Sequence, residues 1–190
     1  MKFTDRLLQR WRIRQIRPFI PPGARILDIG SADGALFAAL GGTAGTGSLG
    51  VDPTLSQPVS VNGCALQPGF FPEAVPADAG WFDVVTMLAV LEHFPPPAYG
   101  SLRAGCERFL RPGGKLLITV PSPDVDYILT VLKFLRLVDG MSLEEHHGFA
   151  VNQTLEIFPP PTFRLVRKGT FQLGLNHLFV LERGAAVPGA

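Results

Sequence analysis

The sequence predicts an α/β fold with helices on both faces of a mostly parallel sheet, and three observations carry that prediction. Within Ala24–Leu40, ARILDIGSADGALFAAL, a short apolar strand runs into a small-residue turn that opens a helix. Strand-like and helix-like segments then alternate through Val120, the order that joins parallel strands by crossovers. Two β runs close the chain, Phe163–Phe171 and Asn176–Glu182, and the Gly-bearing link between them is short enough for an antiparallel hairpin.

Taken in order, residues 1–20 read as a helix with an imperfect apolar stripe of Phe3, Leu7, Leu8, Trp11 and Ile16. Lys2, Arg6, Arg10, Arg12, Arg14 and Arg17 face Asp5 alone, which suits either a basic lid or membrane-surface helix, or an amphipathic helix packed on the domain edge. The second is the expectation, because the stripe holds few large anchors. Pro18, Pro21 and Pro22 end the segment. A strand over 25–29 follows, then the turn from Gly30 to Gly34 and a helix over 35–40. The glycine-rich GGTAGTG loop lacks the Lys-Ser/Thr of a phosphate-binding loop and reads as a plain connection to the strand SLGVD. Residues 53–80 are irregular and must hide a third strand.

The signal returns with WFDVVTMLAVLEHF. Its run Phe82–Leu88 lacks alternation, as a strand covered on both faces should. A helix over 98–110, the turn Arg111-Pro112-Gly113-Gly114 and a strand over 115–120 come next. Val125 to Val138 is a strongly apolar helical segment closed by Gly140, and a short helix precedes Pro159–Pro161.

The 190 residues, 46% apolar and 17% charged, fit one globular domain over 1–183, with a basic helix over 1–20, a lid or insertion over 122–162 and a frayed tail over 184–190. A net charge of +1 argues against a general nucleic-acid binder. Cys64 and Cys106 lack the companions of a zinc site, so no metal is expected, and their scarcity fits a reducing compartment. No apolar run reaches membrane-span length and no leader is evident, so a cytoplasmic location with at most peripheral membrane contact is expected. The oligomeric state is not readable.

Function is written in the turn. A strand entering such a turn should point backbone N–H groups outward at a ligand. Asp52, 22 positions after Gly30, stands where an acid accepts hydrogen bonds from ribose hydroxyls. Together they indicate a nucleoside cofactor. Nicotinamide binding would need glycines where Ala32 and Ala35 stand. Asp28, two residues before Gly30, would oppose a pyrophosphate but suits a cofactor that carries positive charge.

The segments RILDIGSADG, GVDPT, WFDVVTMLAVLEHF, LRPGGKLLITVP and FRLVRKGTFQLGLNHLFVLER, spanning 25–183, resemble the class I S-adenosylmethionine-dependent methyltransferases of the small, ubiquinone-methyltransferase-like type. The resemblance implies a Rossmann-like, doubly wound seven-stranded sheet of order 3-2-1-4-5-7-6 with the last strand antiparallel. It implies S-adenosyl-L-methionine as cofactor, with Gly30, Ser31 and Gly34 shaping the turn at its methionine part and Asp28 facing its amino group. Asp52 would hold the ribose hydroxyls, and Leu88 and Ala89 would contact the cofactor through their backbone. Two positions depart from the family: Ala32 replaces the middle turn glycine, and the Gly-Asp after strand three, whose acid reaches the adenine amine, is matched only by Gly63-Cys64.

The expected activity is methyl transfer to a small or lipid-linked acceptor, with oxygen the favoured acceptor atom. No Asp/Asn-Pro-Pro-Tyr clamp follows Leu88, which counts against transfer to the amines of adenine or glutamine. His93, after the fourth strand, and His147, in the insertion beside His146, are the candidate catalytic bases. Asp124 and Asp126 could meet substrate or begin a helix. A methyltransferase-like binding module without turnover is the alternative from another class.

Overall fold

The computed structural model describes residues 3–122 and 149–185, and within them lies one eight-stranded mixed sheet. Helix α1 (Phe3–Ile16) leads through a 3₁₀ turn to β1 (Ile26–Ile29), α2 (Ala35–Leu40) and β2 (Leu49–Asp52). Then follow β3 (Val59–Val61), β4 (Cys64–Pro68), β5 (Phe82–Leu88), α3 (Tyr99–Phe109) and β6 (Leu110–Pro121). The chain closes with α4 (Gln153–Ile157), β7 (Phe163–Phe171) and β8 (Asn176–Arg183).

The strand order is β3-β4-β2-β1-β5-β6-β8-β7. Without β3, the remaining seven reproduce the expected order, and β8 is antiparallel to both its neighbours. The eighth strand is the difference. β3 pairs antiparallel with β4 around Asn62-Gly63, whose φ angles of 49° and 80° are those of the tight turn that Asn-Gly favours between strands. The third strand hidden in residues 53–80 is therefore a hairpin.

Two further boundaries move. β6 begins at Leu110, paired with Phe82, so Arg111–Gly114 lies within an irregular strand rather than forming a separate turn. In α1 the buried residues are Ile13 and Ile16, whereas Leu7 and Trp11 from the expected stripe are 55% and 43% exposed. The buried face follows Gln9, Arg12, Ile13 and Ile16, at spacings of three, one and three. It was obscured because two of its members are polar.

The sheet separates two apolar layers. Ile13, Ile16, Leu36, Phe37 and Leu40 from α1 and α2 cover one face with Ile26, Val84 and Leu117. Leu102, Cys106 and Phe109 of α3 and Ile157 of α4 cover the other with Leu27, Val85 and Ile118. The four residues of β1 are all buried, as are those of β2. Their parallel register ends Ile29 beside Val51 and Met87, bringing three carboxyl-terminal strand ends to one crevice where ligands of open α/β sheets bind. The opposite end of the sheet is tied by Asp83, which accepts from the Arg25 N–H at 2.9 Å and from Arg111 Nε at 2.6 Å. Those bonds hold its carboxyl below the usual carboxylate range.

Val125–Val138, Asp124, Asp126, His146 and His147 lie outside the described residues.

Candidate functional site

At the carboxyl end of β1, β2 and β5 a cavity of about 580 Å³ opens between the strand tips and α1. Its wall includes Asp28, Gly30, Ser31, Ala32, Asp52, Leu88, Ala89 and His93, and α1 adds Gln9, Arg12 and Ile13. Six of the seven cofactor residues selected from the sequence thus meet at one cavity with His93. Gly34 does not line it. Gly34 begins α2 at φ +74°, and a Cβ there would come within 2.8 Å of Leu66 Cδ1 and 2.9 Å of Val61 Cγ2, so its bareness lets the helix approach β3 and β4. At Gly30, φ +74°, a Cβ would meet Val90 Cγ2 at 2.3 Å. A side chain there would strain the backbone and displace Val90.

The turn is not an anion cradle. Gly30 and Ser31 N–H both donate to Val51 O, at 2.9 and 3.2 Å, and Gly34 N–H donates to Ser31 O at 2.8 Å. Ala32 N–H donates to Asp52 Oδ2 at 2.7 Å. These four donors are spent within the chain, contrary to the outward N–H groups expected from the sequence. The ionisable side chains left facing the cavity near the turn are the carboxyls of Asp28 and Asp52, with Arg12 of α1 across from the strand tips.

Asp28 is 4% exposed and accepts from the Thr86 hydroxyl at 2.6 Å. Burial, assisted by the nearby Asp52 charge, pushes its carboxyl up to about 7, and the Thr86 bond only partly offsets this. A buried carboxylate in that condition is poised to receive a cation. Asp52 is 6% exposed and already accepts three bonds: Ala32 N–H, Thr54 N–H at 2.8 Å and Thr54 Oγ1 at 2.5 Å. An ionised carboxylate offers about four acceptor positions, so one is left for a ligand donor. Ser31 Oγ, buried on the same wall, has no hydrogen-bond partner.

Ala32 adopts φ 44°, a left-handed conformation that costs a non-glycine residue roughly 1–2 kcal/mol. That φ sets the direction in which the chain leaves Ala32 toward α2. Glycine would adopt this conformation without that cost, and alanine holds it under strain.

A second, mainly apolar cavity of about 160 Å³ adjoins the first and shares Gly30, Pro53, Val90 and His93 with it. Gly69 and Phe70, immediately after β4, form part of its wall with Phe71 and Phe94. This corrects the match to Gly63-Cys64, since Gly63 lies in the β3–β4 hairpin at the other end of the strand. Gly69-Phe70 holds the position after the family's third strand, with an aromatic ring where an acid was sought.

Glu92 is 2% exposed beside His93 and does not line the larger cavity. Burial raises its carboxyl to about 7, while its own backbone N–H and the Arg12 charge act the other way.

Residues 2–164 match the family described as Methyltransferase domain. The chain belongs to that family. Ubiquinone biosynthesis O-methyltransferase of Burkholderia pseudomallei is 34% identical over 163 residues, covering 80% of this chain and 66% of that protein. The protein of that name from Pseudomonas aeruginosa is 35% identical over 107 residues, 51% of this chain and 44% of the relative. The domain therefore spans just under two thirds of the first relative's length. Among solved structures, magnesium protoporphyrin IX methyltransferase from Synechocystis PCC 6803, with bound SAH, superposes with TM-score 0.61 at 16% identity, covering 94% of this chain and 82% of that one. An N-methyltransferase from Bradyrhizobium japonicum gives 0.65 at 14% identity, covering 94% and 97%. These likenesses show a shared fold, the Rossmann-like α/β sheet, around the cavity of this methyltransferase domain.

Sequence reasoning missed Gln9, Arg12, Thr54 and Thr86. The signal for the first two was the spacing of residues 9, 12, 13 and 16. Thr86 could have been found as a lone hydroxyl inside an apolar strand, which needs a buried acceptor.

Proposed function

We propose that this chain is an S-adenosylmethionine-dependent methyltransferase acting on a small or lipid-linked acceptor, with oxygen as the acceptor atom. The observation that carries the cofactor reading is the pairing of two buried carboxylates, Asp28 and Asp52, on one wall of a cavity beside a turn with four of its N–H groups already bonded. A pyrophosphate would meet two buried carboxyls and a turn that has spent four of its N–H donors, whereas a nucleoside with an ammonium and a sulfonium brings the charge that carboxylates accept. When bound, S-adenosylmethionine supplies a methyl group on positively charged sulfur, activated for displacement.

The chain's own residues would then bind, orient and exclude water. Asp28, once ionised, would accept from the amino group and Asp52 would use its remaining acceptor position on a ribose hydroxyl. Ser31 Oγ is a further polar contact on the same wall, and the Arg12 guanidinium brings positive charge suited to a carboxylate. The Phe70–Phe71 cavity suits an aromatic base held by ring contact rather than by an acid. His93 borders both cavities, where an imidazole can take a proton from an acceptor hydroxyl, a contribution of about 10²–10⁴-fold. The oxygen acceptor is supported by the names of the curated relatives.

Calorimetric titration with S-adenosylmethionine and, separately, NADH tests the cofactor. Saturable binding of the first alone, weakened by about 1–3 kcal/mol in Asp52→Ala, is the expected result. Failure of the wild type to bind S-adenosylmethionine would overturn it. A screen of phenolic acceptors with product detected by mass then tests turnover.

A further inference from the structure

We propose that the outer face of α1 and the β7–β8 hairpin tip together form a docking surface for an anionic lipid bilayer. Two apolar side chains of α1, Leu7 and Trp11, are 55% and 43% exposed although the same helix has a buried face. A 100° step per residue puts Leu7, Arg10, Trp11 and Arg14 within an arc of roughly 100° on the side away from Gln9, Ile13 and Ile16. Apolar and basic side chains therefore share one solvent-facing stripe. That composition suits the boundary between headgroups and acyl chains, where Trp and Leu enter and Arg meets lipid phosphate.

The hairpin tip supplies the independent observation. Gln172, Leu173 and Gly174 have φ of 53°, 58° and 88°, and Gly174 N–H donates to Phe171 O at 3.2 Å. Such a turn favours Asn and Gly at its centre, yet Leu173 occupies it and is 99% exposed. A left-handed leucine with its side chain wholly in water is unfavourable both in backbone and in hydration. Burial in a bilayer would remove the second cost. The tip lies against α1, because Gln172 Nε2 donates to Leu8 O at 3.4 Å and Arg12 Nε to Asn176 Oδ1 at 3.4 Å. Leu173 follows Gln172 at the tip that this bond holds to α1, the helix whose outer face carries Leu7 and Trp11.

Charge selects the occupant. Residues 6–20 contain Arg6, Arg10, Arg12, Arg14 and Arg17 and no carboxylate. Arg167 of β7 extends the basic rim, with its guanidinium 5.6 Å from the Phe19 ring. Clustered arginines are attracted to the negative potential of anionic headgroups, and that attraction is screened by salt. One helix then shows Gln9, Arg12 and Ile13 to the cavity and its other face to the bilayer.

The test uses the full chain without cofactor, so its failure is separate from failure of the cofactor reading. Trp11 and Trp81 are the two tryptophans, so Trp81→Phe leaves Trp11 as the reporter. Vesicles of phosphatidylcholine alone, and of phosphatidylcholine with about 30% phosphatidylglycerol, are added at low salt. The expected result is a blue shift of Trp11 emission and co-sedimentation with the anionic vesicles only, both reversed by high salt. Leu173→Ser should weaken partitioning by about tenfold, and the pair Arg10→Glu and Arg14→Glu by more than that. All three side chains replaced are on the surface, and unchanged circular dichroism and melting temperature check that the variants fold. Lack of binding to anionic vesicles, equal binding to neutral ones, or binding indifferent to Leu173 and the arginines would each overturn the proposal. So would self-association through this face in place of vesicle binding.

Discussion

Replacing Asp28 with Asn should make the ligand-free protein more stable at pH 8 while weakening cofactor binding. Asp28 is 4% exposed at the cavity wall, and burial raises its carboxyl from 3.8 to about 7. In the unfolded chain the group ionises at the lower value, so above pH 7 folding must bury a charge. At about 1.36 kcal/mol per pH unit, that difference sets an upper bound of about 4 kcal/mol. Asparagine removes the charge and keeps an oxygen for the Thr86 hydroxyl, but its amide N–H groups need partners, which costs about 1–3 kcal/mol. A net gain of about 1–3 kcal/mol at pH 8 is expected. The sign follows from the direction of the shift: a carboxyl whose folded value is raised destabilises the fold above that value, and the penalty fades as pH falls from about 7 toward 3.8. Urea unfolding of wild type and Asp28→Asn at pH 8, 6.5 and 5 measures it. Glu92, also raised to about 7, titrates in both proteins, so the difference between them isolates Asp28 to first order. A variant less stable than wild type at pH 8, or a gain independent of pH, would refute the reasoning. The same linkage predicts that wild-type affinity for S-adenosylmethionine falls as pH drops below 7, by at most tenfold per unit, because binding then requires loss of a proton.

The strain at Ala32 predicts that Ala32→Gly is neutral to about 1 kcal/mol stabilising: relief of a left-handed alanine, roughly 1–2 kcal/mol, exceeds the added unfolded-chain entropy of about 0.4–1 kcal/mol. Denaturant unfolding checks this, and a clear loss of stability would contradict the assignment of strain. His93→Gln should lower turnover by about 10²-fold or more while leaving cofactor affinity within about twofold, since His93 is assigned to the proton and not to the cofactor. Steady-state rates beside calorimetric titration separate the two effects; full activity in the variant would remove His93 from the chemistry.

How much of this fold was legible depended on whether burial spoke through apolar spacing. β5 is covered on both faces and reads as an apolar run without alternation, interrupted by Asp83 and Thr86, so its limits at Phe82 and Leu88 coincide with expectation. The terminal hairpin was equally plain, because nine residues of β7 and eight of β8 flank a turn too short for anything else. β3 and β4 were hidden for the opposite reason. They are three and five residues long, at the sheet edge, with β3 largely exposed, and their one clear mark was the Asn62-Gly63 turn. The outer face of α1 misled because periodicity reports that apolar residues share a side, not that the side faces inward.

The site divides along the same line. Asp28, Gly30 and Asp52 were legible because backbone geometry at the strand tips restricts what can stand there, and each meets the cavity. What sequence could not express was the state of the turn's donors. Whether Ala32 N–H points at a ligand or at Asp52 depends on the crossover that brings β2 beside β1, a contact across twenty residues. That single bond changes the chemistry available at the cavity, since a free donor invites phosphate and a spent one leaves two carboxylates in charge. It also makes Asp52 serve two purposes, bracing the turn and offering its last acceptor position outward. Removing it should therefore loosen the turn as well as the ligand, and Asp52→Ala should lose stability even without cofactor. Asp52→Asn, whose amide oxygen can still accept from Ala32 N–H, should recover that stability and not the full affinity. If both variants melt like wild type, the brace is not Asp52, and the turn is held by the Val51 carbonyl alone.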